Sequence, residues 1–92
     1  MAFSTNEIII VRFYIEPIAK AMVEKRSESV PTLRGQLIDA ILGLRPEMKK
    51  STVENLVADT VGNLTTSVID QGFVEIERLV VAIIERLNIV FK

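Results

Sequence analysis

Apolar side chains return every three or four residues along most of this chain, and the returns stop at a few polar, proline or glycine positions. Ile8, Val11, Ile15, Ile18 and Met22 form one such stripe, which predicts a helix over residues 5–26. Ser4-Thr5-Asn6-Glu7 precedes it as an S-x-x-E capping box, two side chains able to satisfy amides left open at a helix start. The β-branched and aromatic residues of the 7–15 stretch also suit a buried strand. The capping box and the continuing three-four spacing favour helix. Pro17 lies inside the stripe and is expected to kink the helix or split it.

A polar stretch from Ser27 to Pro31 reads as a turn. A second helix over 32–44 follows, with Leu33, Leu37, Ile38, Ile41 and Leu42 inward and Arg45-Pro46 as its stop. Ser51-Thr52-Val53-Glu54 repeats the capping-box spacing and opens a third helix, 51–71. Its apolar face is Val53, Leu56, Val57, Val61, Leu64 and Val68, and Gly72 ends it. The last segment, 73–91, has the clearest two-faced pattern. Ile76, Val80, Ile83, Leu87 and Val90 recur at four-three-four-three, while Glu77, Arg78, Glu85 and Arg86 fall largely on the opposite half. Leu79, Ile84 and Phe91 widen the stripe. The expected fold is an all-α single domain over 1–92, a small bundle of about four helices.

Composition adds one expectation about assembly. The 92 residues are 49% hydrophobic, with four Phe and one Tyr, so aliphatic side chains must build most of the core. That is more apolar material than a small globule needs, because small domains bury proportionally little surface. A second copy of the chain is the simplest cover, so the bundle is expected to be completed by dimerisation. The heptad-like stripe Ile76, Val80, Ile83, Leu87 and Val90 is the expected interface, together with the first helix.

Charge and missing residue types narrow the function classes. The formal net charge of −1 argues against a strongly basic nucleic-acid coat, which needs clustered Lys and Arg. No Cys is present for disulfide or thiolate chemistry, and no His for a general base or metal ligand. Neither a phosphate-cradling glycine loop, a G-x-S-x-G elbow nor an H-E-x-x-H pair occurs, and Gly35, Gly43, Gly62 and Gly72 stand singly. No enzyme, cofactor or metal site is therefore expected. Basic residues do not precede Ile8-Ile9-Ile10-Val11, so it is not read as a signal peptide, and charges interrupt both apolar ends. The expectation is a cytoplasmic protein without a membrane span.

Two candidate sites remain. Arg45, Lys49 and Lys50 lead into Ser51 and Thr52, where the amides of a helix start could hold a phosphate beside the cations. A solvated basic loop is the plainer reading of the same residues. On the third helix, Ala58, Gly62 and Thr66 align at a spacing of four as a ridge of small side chains, which would let another helix approach closely and would bury Ile69. A tolerated glycine on a solvated face is the plainer reading there.

The run Leu37-Ile38-Asp39-Ala40-Ile41, then Thr52-Val53-Glu54 opening a longer helix, then Val74-Glu75-Ile76, resembles the helical half of the HU and integration-host-factor proteins. The resemblance covers less than half the chain and implies a dimeric DNA-associated protein. It does not extend to a Gly-Phe-Gly or a Pro-tipped basic arm, and the stretch after Gly72 reads as helix where that family has strands. The function expected first is a non-enzymatic helical module for protein–protein contact and oligomerisation, with regulation as one role open to it. A small DNA-associated dimer comes second. A small-molecule pocket between helices is allowed by bundle architecture, but no polar constellation in the sequence recommends one.

Overall fold

The computed structural model describes residues 3–71 and 75–91; the side chains of Ser27 and of residues 65–71 lie outside that description. Among the described residues there are four α-helices and no strand: α1 (Thr5–Val23), α2 (Val30–Leu44), α3 (Lys50–Gln71) and α4 (Ile76–Val90). A 3₁₀ turn, Ser27–Ser29, leads into α2. The 7–15 stretch is helical, since its capping box closes as the residue types require. The Ser4 hydroxyl accepts from the Glu7 amide at 3.3 Å, and a Glu7 carboxylate oxygen accepts from the Ser4 amide at 2.9 Å.

α1 runs through Pro17 without being split, and tertiary packing on both sides of the proline offsets the lost amide. It ends at Val23, three residues earlier than the stripe predicts. Lys25 adopts a left-handed backbone with φ of 60°, and the Arg26 amide reaches back to the Ala21 carbonyl at 2.7 Å, closing the helix end. α2 begins two residues earlier than expected. Pro31 lies in its first turn, where a missing amide costs nothing, rather than closing the preceding turn. At its other end the Arg45 backbone leaves helical geometry before Pro46.

α3 begins at Lys50, and the Lys49 carbonyl accepts from the Val53 amide at 3.2 Å. Ser51 is therefore inside the first turn, and the second capping box is displaced: Ser51 does not occupy the cap position. The described part of α4 starts at Ile76, after the extended residue Glu75; the predicted start at Phe73 lies outside the described residues.

α1 packs on α2 and on α4, and α3 packs on the same two, which puts α1 and α3 on a diagonal of the bundle. One core is shared by all four helices. Val11, Ile15 and Ile18 of α1, Leu37 and Ile41 of α2, Val53, Val57 and Val61 of α3, and Val80, Ile83 and Leu87 of α4 are all essentially without solvent contact. Thr60 is the one buried polar residue among those described, and its hydroxyl donates to the Leu56 carbonyl at 2.9 Å, so it enters the core satisfied.

The two chain ends meet at one end of the bundle. Phe3 packs against Phe91 with ring centroids 5.5 Å apart, and its amide donates to the Asn88 side chain at 3.0 Å. The Arg45 guanidinium lies 5.2 Å above the Phe3 ring.

Candidate functional site

α1 buries one side and leaves the other apolar. Val11, Ile15, Ile18 and Met22 face the core as the three-four spacing predicts, with Ile8 partly buried. On the opposite side Ile9 is 63% exposed, Phe13 72% and Ile10 43%. Spacings of four and three place these three on adjoining turns, so they form one patch. Phe13 also makes an edge-on contact with Tyr14, ring centroids 5.3 Å apart. Scattered apolar residues on a surface are ordinary; three large ones side by side are less so.

Beside this patch lies a cleft of 810 Å³ between α1, the start of α2 and the start of α4. Phe13 and Pro17 form its α1 wall, Leu33 its α2 side, and Ile76 its α4 side, with the buried Val80 behind it. Ile76 is itself 37% exposed, so the apolar surface continues from α1 across the cleft to α4.

Charge is distributed unevenly around the cleft. On one rim the Arg12 guanidinium holds both nearby carboxylates, Glu16 at 3.0 Å and Glu77 at 2.7 and 2.5 Å. The hydrogen bond from Arg12 keeps the Glu77 carboxyl below its usual range and raises Arg12 in turn. On the other rim are Lys20 and Arg26. Arg26 pairs with Glu24 at 2.8 Å in an exposed contact. Lys20 has no ion-pair partner among the described residues.

The stripe read from the sequence as an interface occupies a different place. Val80, Ile83 and Leu87 are completely buried within the chain's own core, packed beside residues of α1, α2 and α3. A single copy already covers these three positions, so their side chains are buried before any second chain is considered. Only the ends of the stripe reach the surface, Ile76 at the cleft and Val90 partly. The apolar surplus is nonetheless real. It is shared between α1, where Ile9, Ile10 and Phe13 fall off the core stripe, and α4, where Ile76, Val81 and Ile89 are exposed.

The residues of the basic cluster are differently engaged. Arg45 donates to both oxygens of Glu7, one of them at 3.1 Å, and to the Leu44 carbonyl at 3.2 Å. That pairing holds the Glu7 carboxyl down at about 2, Arg45 being the main cause and the Ser4 amide the next. Arg45 is thus engaged inside the fold, while Lys49, Lys50, Ser51 and Thr52 are exposed at the start of α3.

The ridge of small residues is open at its centre. Ala58 is half-buried and Gly62 exposed, and a methyl group added at Gly62 would meet nothing within 4 Å. No element of the same chain packs there among the described residues. The side chains of Thr66 and Ile69 lie outside the description. Among the described residues, no group of carboxylates is placed to hold a metal ion, and no helix is long and apolar enough to cross a membrane.

No family model, curated protein or solved structure matches the chain at a significant level.

Proposed function

We propose that this chain works by contact, as a non-enzymatic helical module that associates with a second copy through the outer face of α1. The single observation that carries this is the adjoining exposure of Ile9, Ile10 and Phe13, continued by Ile76 across the cleft. Burying such a patch removes apolar area from water at about 25 cal/mol per Å², the dominant favourable term in association. The Arg12–Glu16–Glu77 network borders the patch and gives it a polar rim, as contact surfaces generally have. A protein partner presenting an apolar helix face would fit the same surface.

The alternative, a small DNA-associated dimer, has less support. Its cation set is reduced to Lys49 and Lys50 once Arg45 is paired with Glu7, and phosphate binding strengthens with each added cation.

Sedimentation equilibrium of the wild type and of Phe13→Asp tests the proposal. Wild type is expected to dimerise in the micromolar range. Phe13→Asp, at a solvent-facing position, should weaken association about tenfold or more while helicity is unchanged. A folded wild type that stays monomeric at high micromolar concentration would overturn it.

A further inference from the structure

The cleft beside α1 has the size and the charge pattern of a small-molecule site, and we infer that it binds an amphiphilic carboxylate, an apolar chain ending in a single anion. Its 810 Å³ lies within the range of about 300–1,000 Å³ in which proteins hold small ligands, and three elements wall it. Phe13, Pro17, Leu33 and Ile76 supply an apolar lining without a charge among them, and the buried Val80 lies beneath it. Such a lining selects an alkyl or aryl body and gives it little directional constraint, so the polar rim sets the orientation.

The two rims differ in what they have left to offer. Glu16 and Glu77 are both held by Arg12, so the carboxylates at that end already have a cation between them. Lys20 and Arg26 share the other end. Lys20 is without an ion-pair partner among the described residues, and the exposed Arg26–Glu24 pair is of the weak kind that a better-placed anion displaces. A carboxylate at this rim gains one unengaged ammonium and a redirected guanidinium. A cationic head would meet carboxylates already bonded to Arg12, and a neutral head would gain neither cation. The sign of the head group follows from that asymmetry.

This inference is drawn for the single chain: Phe13 and Ile76 line the cleft and also belong to the proposed self-association surface, so a second copy seated there would compete with the ligand. The test is a titration of the full-length protein, isotope-labelled for methyl NMR, with decanoate below its micellar concentration. Decan-1-ol and decylammonium serve as head-group controls, and sedimentation fixes a protein concentration at which the assembly state is constant. Decanoate is expected to bind saturably, shifting the methyl resonances of Leu33 and Ile76, and more tightly than either control. Lys20→Gln, an exposed substitution, should weaken decanoate about fivefold and leave decan-1-ol unchanged; adding Arg26→Gln should remove the preference for the carboxylate. Failure of decanoate to saturate, shifts confined to residues outside the cleft, or binding of either control as tight as decanoate would each overturn the assignment. So would a Lys20→Gln protein with undiminished preference for the anion.

Discussion

Arg45 closes on Glu7 across 38 positions of sequence, donating from two guanidinium nitrogens to both carboxylate oxygens. Glu7 is at once the third residue of the α1 capping box and the anchor for the segment that joins α2 to α3. The same guanidinium covers Phe3, which in turn packs on Phe91. One side chain therefore ties together the start of α1, the end of α2 and the end of α4.

The pairing makes stability depend on acid in a defined window. Glu7 titrates at about 2 in the folded protein, against 4.5 ordinarily, so its contribution is complete above 4.5 and is lost as pH falls towards 2. Glu7→Gln should melt at a lower temperature than wild type at neutral pH, and the gap should close between pH 5 and 2. Thermal melts by circular dichroism at a series of pH values check this. A gap that stays constant would show that the charge of Glu7 does not carry the effect.

Ile83 has no exposed surface and sits in the shared core. Ile83→Asp should unfold the protein, costing about 4 kcal/mol or more, because a charge would be buried without a partner. Chemical denaturation of the variant, or its failure to show helical ellipticity, reads this directly. A well-folded Ile83→Asp monomer would mean that α4 is not seated in the core as described.

Gly62 occupies an exposed interior turn of α3 with open space around it. Gly62→Ala should stabilise the protein by about 0.5–1 kcal/mol, through helix propensity and a less mobile unfolded chain. Gly62→Leu should leave the melting temperature unchanged or higher. A loss of 1–3 kcal/mol on placing Leu there would instead indicate close packing at this face.

Lys25 carries the left-handed conformation that closes α1, a geometry costing an L side chain roughly 1–2 kcal/mol. Lys25→Gly should raise stability by up to about 1 kcal/mol, whereas Lys25→Ala should not. Urea denaturation of the three proteins distinguishes relief of backbone strain from mere loss of charge.

Lys49 and Lys50 are exposed at the start of α3, with Arg45 turned to Glu7. Wild type is expected not to be retained on immobilised duplex DNA at physiological salt. Retention that disappears in a Lys49→Ala/Lys50→Ala protein of normal helicity would restore the phosphate-binding reading.

Much of the secondary structure was legible in the residues because it is set by short-range physics. The Ser4–Glu7 box, the stripes through Val11–Met22 and Val53–Val61, and the stop at Arg45-Pro46 each depend on neighbours within a turn or two, and each corresponds to an observed feature. Where boundaries moved, another local option won: Pro31 entered the first turn of α2, and Lys50 preceded Ser51 into α3.

Periodicity also identified α4 as two-faced, but it cannot say what covers the apolar face. Whether Val80, Ile83 and Leu87 meet their own chain or a second one depends on how three other helices return to them, and the tertiary structure assigns them to the chain's own core. The same limit applies to the exposed patch at Ile9, Ile10 and Phe13, which becomes visible only once the opposite side of α1 has been buried. The Arg45–Glu7 pair, the Phe3–Phe91 contact and the cleft between Phe13 and Ile76 join residues dozens of positions apart. Sequence alone determined which residues would form helices and which stripe each would hide, because those choices are made within a few bonds. Only the tertiary structure decided which charges are paired and which apolar surface is left over, because both depend on how distant segments pack around one core.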